Sequence, residues 1–242
     1  MSIWNDIGIE TGDSIVCHSS LFKLGKIEGG INSIVSTLLE LLGKNGNIVV
    51  PTFTYSFMRN TLYDVENSPS TVGVLGDLIR QRNDSVRSLD GNFSWSAIGK
   101  DREELMRIDT KESFGKNSFF DKLRDRNGKC LLLGVDFDAL PFFMFLEKEL
   151  NVSYRYNKEF SGETKIGERI KQDNFIHYVR DEKLNPKTAR LKIGKLIKSD
   201  PRCKIRKIGY GEAICAPLTL VQQYVEKHLL EDPFILLEES VG

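Results

Sequence analysis

The stretch from Ser14 to Pro51 constrains this chain more than any other. Ser14-Ile-Val-Cys-His18 reads as a short buried strand, followed by Ser19-Ser20-Leu21 and a polar loop that ends in Glu28-Gly29-Gly30. Apolar residues then fall at Ile31, Ile34, Val35, Leu38, Leu39, Leu41 and Leu42, the spacing of a helix with one broad apolar face. Gly43-Lys-Asn-Gly46 stops that helix, Asn47-Ile-Val-Val50 reads as a second strand, and Pro51 ends it. Strand, helix and strand in this order are the unit of an open α/β sheet.

Further elements follow the same logic. Lys129-Cys-Leu-Leu-Leu-Gly134-Val is an apolar run closed by glycine, as expected of a strand buried on both faces. Helices are expected over 73–82, 101–106, 119–123, 141–150 and 218–230, and a strand over 94–98. Tyr55 to Pro69 is polar and reads as a mobile loop. Residues 157–208 are rich in Lys and Arg and read as a charged excursion of hairpins and a helix. The expected architecture is one α/β domain over 1–242, with a central mixed or mostly parallel sheet flanked by helices.

Composition narrows the function. Lys and Arg total 34 and Asp and Glu total 34, so no global basic field exists to hold a nucleic acid. Mean hydropathy is −0.28, and no apolar run reaches membrane-spanning length. The first residues lack the basic and apolar regions of a secretory signal. Cys17, Cys130, Cys203 and Cys215 form no CxxC pair, which points to buried reduced thiols and a cytoplasmic setting. With three histidines and no cysteine pair, no metal site is expected.

Three constellations could carry chemistry. The first is His18-Ser19-Ser20 with Gly29-Gly30. A strand ends in hydroxyl residues, and glycines open a helix whose free amides suit a phosphate- or pantetheine-bearing ligand. The second is Arg87-Ser-Leu-Asp90 with Ser94, which could orient a polar ligand or close on itself as an ion pair. The third runs from Gly134 through Asp136 and Asp138 to Met144, Glu147 and Arg155. A carboxylate on so apolar a helix needs a partner, and Arg155 is the candidate. His18, at a strand end beside two serines, favours a site, and His177 sits in the alternating Phe-Ile-His-Tyr-Val segment.

In this order, these pieces resemble the aminoglycoside 3-N-acetyltransferase family over nearly the whole chain. The resemblance rests on His18-Ser-Ser-Leu21, Leu24-Gly25, Glu28-Gly29-Gly30, Gly43 to Thr54, Val72-Gly73-Val-Leu75, Arg87-Ser88, Phe93-Ser94, Ser113-Phe-Gly115, Leu131-Leu-Leu-Gly-Val135 and Val152-Ser-Tyr-Arg155. It implies a single-domain α/β fold distinct from the commoner acetyltransferase fold. It also implies acyl transfer from an acyl-CoA, such as acetyl-CoA, to an amine of an amino sugar, in an aminoglycoside or a surface-polysaccharide precursor. It places His18, Ser19, Ser20, Leu24, Gly25, Glu28, Gly29, Gly30 and Gly73 along the coenzyme. Where family members carry Thr, His and Glu on the helix after Leu-Leu-Leu-Gly-Val, this chain has Pro141, Met144 and Glu147. A thioether takes no proton at neutral pH, so Glu147, Asp90, Asp138 and His177 are the candidates for the general base. A homologue that only binds CoA or a sugar is the alternative. The expected partner is a small amine, with no nucleic acid or membrane, and a homo-oligomer is compatible with the sequence.

Overall fold

The computed structural model describes residues 3–181 and 188–238. Its main sheet has seven strands: β1 (Ser14–Ser19), β2 (Asn47–Pro51), β4 (Val86–Arg87), β5 (Trp95–Gly99), β6 (Lys129–Leu133), β9 (Lys204–Ile208) and β10 (Gly211–Pro217). They lie in the order β4-β5-β2-β1-β6-β10-β9. A second sheet of three strands joins β3 (Tyr63–Asp64) to the long hairpin of β7 (Arg155–Ile166) and β8 (Arg169–Arg180). The helices are α1 (Ile3–Asp6), α2 (Gly30–Leu42), α3 (Val74–Arg80), α4 (Arg102–Met106), α5 (Phe119–Asp125), α6 (Phe142–Glu149), α7 (Leu191–Ser199) and α8 (Leu218–Glu231).

The sheet is mixed, and its parallel part is narrow. Only β1 with β2 and β1 with β6 pair parallel, and every other pairing in that sheet is antiparallel. A parallel pair needs a long crossover, whereas β9 and β10 are joined by the tight turn Gly209-Tyr210. The sheet is thus mixed, one of the two forms expected from the sequence, with its parallel pairs at the centre.

Strand parity divides the core in two. Ile15, Cys17, Ile48, Val50, Leu131, Leu133, Ala213 and Cys215 face α2 and α3, in a cluster with Leu38 and Leu75. Val16, Val49, Cys130, Leu132, Ile214 and Ala216 face the other way, in a cluster with Phe120, Phe142 and Val221. Successive side chains of a strand point to opposite faces, so apolar runs such as Cys-Leu-Leu-Leu are read by both cores. The four cysteines are buried and free, and burial pushes the Cys17 and Cys215 thiols up to about 12.

Two segments depart from the sequence expectation. Residues 55–69 hold β3, and Tyr63 is fully buried with its hydroxyl donating to the Ser88 carbonyl at 2.7 Å. Within 157–208, the hairpin forms the second sheet, while α7 and β9 complete the main layers. Residues 182–187 of that stretch, like 1–2 and 239–242 of the expected domain, lie outside the described residues.

Candidate active site

The central strands β1 and β6 end side by side at Ser19 and Leu133. Their outgoing connections diverge, and such a switch point opens a crevice at the carboxyl edge of an α/β sheet. On one side of this edge stands the start of α2. Gly29 and Gly30 both adopt left-handed backbone (φ +73° and +71°), and a Cβ on Gly30 would meet no atom within 4 Å. No side chain caps α2, because the Ser33 hydroxyl turns back to donate to the Glu28 and Gly30 carbonyls at 2.8 and 2.7 Å. Gly30 N–H donates to the Ile27 carbonyl at 3.0 Å, and the following first-turn amides of this 13-residue helix have no side-chain cap and suit an anion. Glu28, Gly29, Gly30 and Gly73 are exposed, and Ser19, Ser20 and Gly25 are half-buried. A Cβ on Gly73 would lie 3.7 Å from the Ser19 carbonyl, which brings the start of α3 to the same edge.

His18 lies on the opposite face from Ser19. It is 6% exposed, and its Nε2 has no partner among the described residues. Burial pushes its pKa down to about 3, so the ring is neutral. The ring meets Trp95 edge-on at 5.8 Å between centroids. Leu24 is buried in the α2-side cluster, pinned where a Cβ on Gly209 would come within 2.1 Å of the Leu24 carbonyl. Its side chain reaches the end of β6, where a Cβ on Gly134 would lie 3.4 Å from Leu24 Cδ2. The fit to a coenzyme carrying pyrophosphate and an amide-rich arm is good: open amides at α2, hydroxyls at Ser19 and Ser20, and an orphaned buried nitrogen at His18.

Beyond Trp95 is a cleft lined by Asp90, Phe93, Trp95, Arg107, Asp109, Glu112, Ser113, Ser118, Phe119 and Phe175 among others. Asp109 is neutralised by Arg107 at 2.7 Å and Lys122 at 2.6 Å, and Glu112 lies 3.6 Å from Lys148. Among the described residues Asp90 pairs with no cation. Its carboxylate accepts the Asn92 and Phe93 backbone N–H groups at 2.9 and 3.0 Å and the Ser113 hydroxyl. Ser113 Oγ is 3.0 Å from His177 Nδ1, and Asn92 Nδ2 is 2.9 Å from His177 Nε2. Burial lowers the His177 pKa, and the Asp90 charge offsets this in part. Strand β8 delivers His177 by docking on the 111–113 segment: Ile176 N–H donates to the Lys111 carbonyl at 2.8 Å, and Ser113 N–H to the Ile176 carbonyl at 3.1 Å.

The structure thus joins Asp90 and His177, two of the sequence candidates, through Ser113, which the sequence reading did not single out as a proton carrier. A lone serine among many has no local signal for such a role. The other two candidates lie elsewhere. Glu147 is fully buried, 3.0 Å from Arg155 and 3.5 Å from Arg190, and accepts the Tyr154 hydroxyl at 2.9 Å. With its charge balanced and no path to solvent, it is the hub of a buried ion-pair cluster, and Arg155 is the partner the sequence suggested. Asp138 is exposed on a 3-10 turn after β6, outside the Asp90–His177 network. Arg87 neither pairs with Asp90 nor faces a ligand. It clamps the Thr52, Val65 and Ser68 carbonyls and lies over the Tyr63 ring at 5.2 Å. Met144 is half-buried on α6 and packs against the core cluster that holds Phe142 and Phe145. Among the described residues no group of three or more His, Cys, Asp or Glu side chains could hold a metal ion, and no helix is long and apolar enough to cross a membrane.

A helix N-terminus at the edge of the central strands thus stands next to an aromatic cleft that holds the Asp90 carboxylate. The family model for aminoglycoside 3-N-acetyltransferase matches residues 16–229, and the chain belongs to that family. It is therefore an N-acyltransferase by class, with acetyl-CoA as co-substrate. It is 23% identical to the SPbeta prophage-derived aminoglycoside N(3')-acetyltransferase-like protein YokD of Bacillus subtilis, over 93% of this chain and 89% of that one. It is 24% identical to aminoglycoside N(3)-acetyltransferase IX of Micromonospora chalcea, over 59% of this chain and 58% of that enzyme. The solved structure of AAC-IIIb in binary complex with CoASH shares the fold, with a TM-score of 0.82 at 17% identity over 94% of this chain and 93% of that one.

Proposed function

We propose that the chain transfers the acetyl group of acetyl-CoA to an amine of an amino sugar bound in the Asp90 cleft, the acceptor being an aminoglycoside or a surface-polysaccharide precursor. Acetyl-CoA supplies the activated thioester. The open amides of α2 hold its pyrophosphate, Ser19, Ser20 and Gly73 border its arm, and neutral His18 presents an unused ring nitrogen beside Trp95. The observation that carries the reading is Asp90, a carboxylate with no cationic partner among aromatic walls. Such a group holds an ammonium or an amine N–H, while the rings pack against the apolar face of a sugar. Met144 offers no proton acceptor, so the base belongs to the cleft rather than to α6. Four buried reduced thiols favour a cytoplasmic reaction.

The test is turnover of acetyl-CoA with single-ring amino sugars, nucleotide-linked amino sugars and intact aminoglycosides, read as thiol release with a disulfide reagent. Release with at least one acceptor, lost in Asp90→Asn, is the expected result. Coenzyme binding with no release above background across the panel would sink the reading in favour of a ligand-binding homologue.

A further inference from the structure

The hydrogen bonds around His177 fix its tautomer. Asn92 Oδ1 accepts the Met58 backbone N–H at 3.0 Å, so the Asn92 NH₂ is the group turned to His177 Nε2. An NH₂ only donates. Nε2 is therefore the bare nitrogen and Nδ1 carries the proton, which it donates to Ser113 Oγ. The Ser113 proton points at Asp90, which two backbone amides already hold in place. One lone pair of Oγ is left over, and Ser113 is half-buried on the cleft wall. His177 is fully buried and has both ring nitrogens engaged.

We infer that Ser113 is the group that takes the proton from the acceptor nitrogen and hands its own to Asp90, with His177 a positioning residue that orients Ser113 and is not itself the base. This rests on the acyltransferase reading above. As the amine nitrogen forms its bond to the thioester carbonyl carbon, it becomes acidic. Its proton passes to Ser113 Oγ while the Ser113 proton passes to Asp90. The carbon–sulfur bond breaks, the thiolate leaves, and the proton on Asp90 returns through solvent to make the free thiol. Amine and thioester become amide and thiol, with no other reactant.

His177→Asn keeps a donor near the Nδ1 position, whereas His177→Gln puts its amide where Nε2 was. The expected result is that Ser113→Ala and His177→Gln lower kcat by about 10²-fold, with KM for acetyl-CoA and melting temperature little changed. Ser113→Thr and His177→Asn are expected to stay within about tenfold of wild type. Ser113→Ala keeping a third of wild-type kcat, or the two His177 variants losing activity alike, would overturn the relay. If the wild-type protein acetylates nothing, the functional reading fails instead, and the nitrogen chemical shifts of His177 in the wild-type protein then judge the relay. A protonated Nδ1 with a bare Nε2 supports it, and the reverse overturns it.

Discussion

On the side of Trp95 proposed to hold the coenzyme, the groups offered to a ligand are mostly backbone amides and short hydroxyls from one continuous stretch, Ser19 to Gly30. On the side proposed for the acceptor they are the side chains of Asp90 and Ser113, which Asn92 and His177 on β8 hold in place from distant segments. The first depends on helix polarity and on glycines that leave room, and tolerates side-chain change away from them. The second depends on a chain of directional bonds, each set by the one before it.

Glu147 against Asp90 gives the sharpest contrast, since both are buried carboxylates and only Asp90 lines the cleft. Glu147→Ala leaves Arg155 and Arg190 without their counter-charge and is expected to cost about 3–5 kcal/mol in urea unfolding. Retention of full stability would break the distinction between a carboxylate that holds the fold and one that serves chemistry. Asp90→Asn should lower kcat by at least about 10²-fold while the fold stays intact by melting. An equal loss of stability in both variants would put Asp90 in the structural class.

His18 and His177 make the comparison testable by pH. Both have native pKa values below that of an exposed imidazole, so the unfolded chain takes up protons first as pH falls. Stability is full above about 6.5 and declines below it, with His18 contributing down to its native value of about 3. Each such group steepens the decline by up to about 1.4 kcal/mol per pH unit. His18→Leu should flatten the urea midpoint profile between these limits, and an unchanged profile would mean the ring is hydrated. The smallest effect belongs to the helix end. Gly30→Asp and Gly30→Asn share shape and tolerance of left-handed backbone, so their difference isolates charge. The Asp variant should bind CoA about 5- to 10-fold more weakly by calorimetry at low salt, with the gap closing as salt rises.

Local pattern was enough for β1, α2, β2, β6 and α8, because each carries an apolar period that only one element satisfies. It was enough for the Gly29-Gly30 helix start and for the Glu147–Arg155 pair, where a charge inside an apolar helix demanded a partner. It was not enough for β10, whose place between β6 and β9 depends on a hairpin turn docking on Leu24, or for β3, whose two residues become a strand only when β7 lies beside them. Nor could it tell that His18 and Ser19, neighbours in the chain, face opposite sides of the sheet with Trp95 waiting on one of them.

By itself the sequence determined the layer order around the central strands and where free helix amides meet their edge, since both follow from contacts within a few dozen residues. Only the tertiary structure decided which carboxylate stands uncompensated in a cleft and which serine and histidine complete its hydrogen bonds. Those partners lie far apart along the chain, and a directional bond between distant side chains leaves no periodic trace in the residues that make it.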